Sequence, residues 1–251
     1  FGYINFYTLH GFKLSVYKDD RKKHTGFFCL FISFNFIFWH YFKIYLEKIR
    51  IKLIFILKIK WKVAKMLTVR KPAVANLFYT GDKERLYYTV KNYIEKAPLY
   101  PYKPEGLISP HAGYMYSGIV AGVSYKQLLN LDPNKHYTFL LIGPSHYVYL
   151  QGISFGYYDF WQTPLGNVKV AKEKINSFVK AYPNFPITLN TLPHQKEHSL
   201  EVQVPFLQVV MKDFDIIPVV YGDIDSIYVK KVIDFFKDEN TVVIISSDLS
   251  H

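Results

Sequence analysis

Residues 137–146 read Tyr137-Thr138-Phe139-Leu140-Leu141-Ile142-Gly143-Pro144-Ser145-His146. The run Tyr137–Ile142 is strongly apolar and does not alternate, as in a strand covered on both faces. Small residues stop it, and a histidine follows. The same form occurs twice more. Leu107-Ile108 leads into Ser109-Pro110-His111-Ala112-Gly113-Tyr114, and Val242–Ile245 leads into Ser246-Ser247-Asp248-Leu249-Ser250-His251.

Helical spacing fills much of the rest. Asp82 can cap a helix whose Leu86, Val90 and Ile94 repeat every four residues. Pro98, Pro101 and Pro104 force an extended connection to a strand at Gly106–Ser109. Ser117–Leu129, Lys172–Tyr182, Leu200–Met211 (with Pro205 as a local irregularity) and Ser226–Phe236 read as helices. Gly152–Phe155, Val168–Val170, Phe214–Tyr221 and Thr241–Ile245 read as strands. This alternation predicts an α/β fold, a sandwich whose sheet carries helices on both faces. No closing helix follows the last strand, so the pattern predicts a domain left incomplete at its C-terminus.

In open α/β sheets the carboxyl ends of the strands meet along one edge, where ligands bind. His111, His146 and His251 can therefore converge although they are far apart in sequence. Imidazole suits iron, copper, zinc and nickel. Each histidine alone also reads as an ordinary turn residue, and none has zinc-finger or HExxH spacing. Glu197, His198 and Glu201 can form a polar face at a helix start, either capping it or lining the site. Asp248 can orient a histidine or cap a following helix. Tyr114 and Tyr116 can line a pocket or pack in the core. His136 and His194 sit in polar stretches that predict surface positions. The sequence holds no Walker or dinucleotide glycine loop and no Gly-x-Ser-x-Gly elbow.

Composition splits the chain. Of its net charge of +11, +10 falls in residues 1–65, and residues 66–251 are nearly neutral. All 13 prolines follow Met66, the first methionine, whereas the single cysteine, Cys29, precedes it. One cysteine excludes a disulfide framework. A hydrophobic fraction of 50% with 20% charged residues excludes wholesale disorder. The near-neutral main body argues against nucleic acid as a partner. Residues 1–65 have three readings: an upstream reading-frame extension, a membrane anchor built on the apolar run Phe27–Phe42, or a basic arm. The extension reading leads, which makes the protein cytoplasmic, with a membrane role only if the segment is genuine.

Arg70-Lys71-Pro72-Ala73-Val74-Ala75 with Phe78-Tyr79, then Ser109–Tyr114, Gly143–His146, Trp161–Gly166, Glu197–Glu201, Ile216–Val219 and Ser246–His251 come in the order of the Memo family. In bacteria and archaea this family is the B component of the AmmeMemoRadiSam system. The resemblance covers Met66–His251 and not residues 1–65. It implies an α/β/α sandwich resembling class III extradiol dioxygenases, which are non-haem iron enzymes. It also implies that His111 and His146 are metal ligands for iron or copper and that His251 moves a proton. Tyr114, His198 and Asp248 then line the pocket, and a third protein ligand lies beyond His251. Two functions follow: a metal-dependent redox enzyme, or a non-catalytic module binding a small molecule or peptide in the same pocket. The system's name implies a functional link to a radical-SAM protein.

Overall fold

The computed structural model describes residues 6–9, 12–15, 39–54 and 67–248. The chain divides into two compact units, Phe1–Met66 and Leu67–His251. In the first, β1 (Phe6–Leu9) pairs antiparallel with β2 (Phe12–Ser15), and residues 39–54 are helical (α1). No helix among the described residues is long and apolar enough to cross a membrane. Residues 27–38, most of the run weighed as an anchor, lie outside the described residues, as does His251.

The second unit is a mixed α/β domain. In chain order it holds β3 (Val69–Arg70), α2 (Lys83–Lys96), β4 (Gly106–Ser109), α3 (Tyr114–Lys126) and β5 (Tyr137–Pro144). Then come β6 (Ile153–Phe155), β7 (Phe160–Thr163), β8 (Gly166–Val170), α4 (Lys172–Ala181), β9 (Ile187–Thr188) and α5 (Leu192–Gln195). The last elements are α6 (Val204–Val210), β10 (Phe214–Tyr221), α7 (Ser226–Phe236) and β11 (Thr241–Ser246). The sheet runs β3-β7-β8-β10-β5-β11-β4, with β6 and β9 continuing from β10. Strands β8, β10, β5, β11 and β4 are mutually parallel, while β7 returns antiparallel to β8.

Local chemistry explains most of these elements. The Asp82 carboxylate accepts from Arg85 N at 2.8 Å and caps α2, which buries Leu86, Val90 and Ile94. Strands β5 and β10 have buried interiors, as their unbroken apolar runs require. Pro218 sits inside β10 without breaking it. Its carbonyl accepts from Gly156 N at 2.9 Å, on the side where β8 gives way to β6. A strand residue's N–H and C=O point the same way, so the missing donor falls in that gap and the β5 ladder is untouched.

Two expectations shift. The helix anticipated over Leu200–Met211 is a 3-10 turn, Glu201–Gln203, followed by α6. Pro205 has no N–H for the carbonyl four residues back, so α6 begins with proline in its first turn. The β7–β8 hairpin, not foreseen, turns through Pro164-Leu165, with Gly166 at φ +132°. Helices α2, α3 and α6 pack together around Tyr93, Tyr114, Tyr125 and Phe206. Helices α4 and α7 meet through Phe178, Phe235 and Phe236.

Candidate metal centre

Strands β5, β11 and β4 are neighbours, and the sequence pattern puts a histidine just past the carboxyl end of each. Two of these turns are held by hydrogen bonds that extend the ladder. Ser145 N donates to Tyr221 O at 2.9 Å beyond β5, and Ser247 N donates to Ser109 O at 3.0 Å where β11 meets β4. Ser145 Oγ then donates to Val148 O at 2.7 Å and closes the turn around His146. The rings of His111 and His146 stand 5.1 Å apart. His198 stacks on His146 at 4.5 Å and lies 5.4 Å from His111. One nitrogen from each of the three lies within 4.8 Å of the others.

Hydrogen-bond accounting assigns the tautomers. Ser246 Oγ donates its single proton to Ser199 O at 2.6 Å and accepts from Gln203 Nε2 at 2.9 Å. Its remaining capacity is as an acceptor, so His111 Nδ1, at 2.9 Å, is the protonated nitrogen. His146 Nδ1 lies 2.8 Å from Glu197 Oε1, and an ionised carboxylate can only accept. In the neutral form of each ring, Nε2 is then a lone pair. His111 Nε2 is buried without a directed hydrogen bond, and lies 2.9 Å from Asp248 Oδ1. A nitrogen and a carboxylate oxygen at that distance are brought together by a proton on Nε2 or by a metal ion bound between them.

Glu197 organises the other side. Its carboxylate accepts from His146 N at 2.6 Å and from His198 N and Ser199 N, each at 2.9 Å. Burial alone raises its pKa, but the donors from His146 and Ser199 outweigh it and hold the carboxyl below its usual range. Burial likewise lowers the pKa values of His111 and His198, against the opposing pull of Asp248 and Glu197 respectively. Neutral imidazoles are the form that binds metals. His198 Nδ1 is buried and makes no hydrogen bond; Glu197 Oε1 is 3.4 Å away. Phe78 packs on the His198 ring at 4.7 Å and Tyr147 edges it at 5.7 Å.

The remaining candidates separate. Asp248 is in the cluster, beside His111. Tyr114 is in the core, its hydroxyl donating to Val202 O at 2.7 Å, while Tyr116 is exposed. Glu201 is fully buried and neither caps a helix nor reaches the imidazoles. It ion-pairs with Arg70 and accepts from Ala73 N at 2.8 Å, Val74 N at 3.0 Å and Tyr79 OH at 2.5 Å. Burial, with the Glu201 charge, pushes the Tyr79 hydroxyl well up. His136 is half-exposed and bonds Asp213 at 2.8 Å, as a surface residue should. His194 is not at the surface. It is fully buried against the edge of Trp161, and Nε2 donates to Ser154 O at 3.1 Å. Burial lowers its pKa to about 3. Its polar sequence neighbours face outward while it turns in, and nothing local marks that difference. Ser246 and Gln203 also act in the site unforeseen. Their partners lie 43 or more residues away, so only the fold brings them there.

Comparison with known proteins gives a consistent result. The family described as Memo-like protein matches residues 70–251. A MEMO1 family protein of Archaeoglobus fulgidus is 38% identical over 192 residues, covering 73% of this chain and 68% of the relative. Similar proteins from Thermotoga neapolitana and Aquifex aeolicus are 33% and 37% identical, covering 73% and 74% of this chain and 70% and 68% of their own lengths.

Proposed function

This chain belongs to the Memo family, and on that footing we propose that residues 66–251 form a metal-dependent redox protein. Its imidazole cluster would hold non-haem iron or copper and act on a small molecule. The observation that carries this is the pair of Nε2 lone pairs on His111 and His146, left by Ser246 and Glu197 and joined by His198 within 4.8 Å. Three imidazoles with a carboxylate nearby match the donor preferences of iron and copper. When bound, the ion would supply Lewis acidity and a one-electron couple.

The chain's own groups supply the rest. Glu197 keeps the proton of His146 on Nδ1, and Ser246 keeps that of His111 on Nδ1, so neither ring can turn its N–H toward the centre. Phe78 packs against the His198 ring and flanks the cluster. His251 is assigned proton transfer to and from the substrate. The α/β/α sandwich of extradiol dioxygenases is the architecture we assign to residues 66–251.

The test is metal content of the folded full chain after reconstitution with Fe(II) under anaerobic conditions, or with Cu(II). About one ion per chain is expected in the wild type and none in His111→Ala/His146→Ala. Folded wild-type protein that retains no stoichiometric metal would overturn the reading. A second reading, a non-catalytic pocket for a peptide or small molecule, draws on the aromatic rim of Phe78 and the exposed Tyr147 beside His198. Partner binding that is undiminished after metal removal would favour it.

A further inference from the structure

Arg70 is on β3, at the outer edge of the sheet, with β7, β8 and β10 between it and β5. Its side chain is nonetheless buried, and all its recorded hydrogen bonds go to one distant segment. Nε donates to His194 O at 3.1 Å, Nη2 donates to Glu197 O at 2.7 Å, and Nη1 pairs with the Glu201 carboxylate. The guanidinium carbon lies 4.5 Å from the centre of the Trp161 ring. The segment so held, from His194 to Glu201, carries Glu197, which grips His146, and His198, which stacks on it.

We propose that Arg70 is a positioning residue for the imidazole cluster: its guanidinium fixes the backbone of residues 194–201 so that Glu197 reaches His146 Nδ1 and His198 faces His146. The choice of arginine supports this. Neutralising Glu201 needs only a positive charge, which lysine supplies. Holding two carbonyls and a carboxylate at once, over an indole ring, needs a planar fork with several donors. For its metal readout the proposal rests on the reading of the cluster as a metal centre. Its tautomer readout does not.

The experiment compares the full-length wild type with Arg70→Lys and with Trp161→Phe, which loosens the same buried cluster but leaves the carbonyls of His194 and Glu197 held. In metal-free protein, nitrogen-detected imidazole NMR should show His146 as the Nδ1–H tautomer in the wild type and Trp161→Phe, and as a mixture in Arg70→Lys. Co(II) titration should give affinity about tenfold weaker in Arg70→Lys and unchanged in Trp161→Phe. Arg70→Lys/Glu197→Gln should lose clearly less than the sum of the two single losses, because the arginine acts in part through the glutamate. If Arg70→Lys does not fold, the neutral pair Arg70→Gln/Glu201→Gln removes the carbonyl clamp without stranding a buried charge, and is read the same way. A wild-type tautomer in the arginine variants overturns the proposal. So does an equal loss in Trp161→Phe, or additivity in the double variant. A tautomer change in Arg70→Lys together with no Co(II) binding by the wild type would sink the metal reading and leave the role of Arg70 standing.

Discussion

The turns that end β4 and β5 and the segment Leu192–Gln203 serve the same cluster by different means. Each turn is a direct continuation of a parallel strand: Ser145 N bonds Tyr221 O just past β5, and Ser109 O, at the end of β4, accepts from Ser247 N. The strand's direction aims the histidine. Leu192–Gln203 contains only one short helical turn and a 3-10 turn, and its course is set from outside by Arg70 and by the long reach of Glu201 to Ala73, Val74 and Tyr79. Within it, His194 and His198 stand four residues apart, one sealed in the core and the other in the cluster. A side chain placed by a strand end inherits its position from local structure. One placed by a buried ion pair inherits it from residues more than 120 positions away.

The largest effect should come from breaking that outside support. Glu201→Gln leaves the Arg70 charge buried without its counterion, at a cost of about 3–5 kcal/mol. Chemical denaturation measures this, and a loss below ~1 kcal/mol would mean that the segment does not depend on the pair. Next in size is the pH dependence contributed by His194. Its folded pKa, about 3, lies below the ordinary value of 6.5. The unfolded chain therefore takes up a proton that the native state refuses. Stability from this residue is complete above about pH 6.5 and is lost as the pH falls toward 3, by on the order of 4 kcal/mol at the lower end. His194→Gln should flatten the stability profile in this window, most clearly between pH 6.5 and 5, before most carboxylates titrate. An unchanged slope there would place His194 in contact with water.

The turn region is probed by a smaller change. Ser246→Ala removes the acceptor that keeps the His111 proton on Nδ1, and should weaken Co(II) binding by about tenfold. Its effect on the unfolding midpoint should fall well below that of Glu201→Gln. Were the ranking reversed, Ser246 would be chiefly a core residue and the tautomer argument for His111 would fail.

The same contrast explains what could be read from sequence. The helices beginning at Asp82 and Ser226, the strands at Tyr137 and Phe214, and the mixed α/β class were legible because periodicity, caps and unbroken apolar runs are local signals. The pairing of His111 with His146 was legible because the carboxyl ends of parallel strands meet along one edge and both turns share one form. Hidden were the burial of His194, the core role of Glu201 and the tautomer control by Ser246 and Glu197. Each depends on partners remote in the chain, and a carboxylate in a polar stretch reads the same whether it caps a helix, grips a histidine or neutralises an arginine.

The finest test concerns Tyr114, which follows the His111 turn and for which core and pocket were both open readings. Its ring packs against Tyr79 at 5.3 Å and Phe206 at 5.1 Å, and its hydroxyl is held by Val202 O. Tyr114→Phe keeps the ring and removes only the hydroxyl, leaving the Val202 carbonyl without that donor. A loss of about 1 kcal/mol in unfolding free energy is expected, the usual value for one buried hydrogen bond. Co(II) affinity should stay at the wild-type value, because the hydroxyl is held by Val202 O in the 3-10 turn that precedes α6. A tenfold drop in affinity with no change in stability would return Tyr114 to the pocket, and would show that a strand-end turn controls the side chains beyond its histidine as well as the histidine itself.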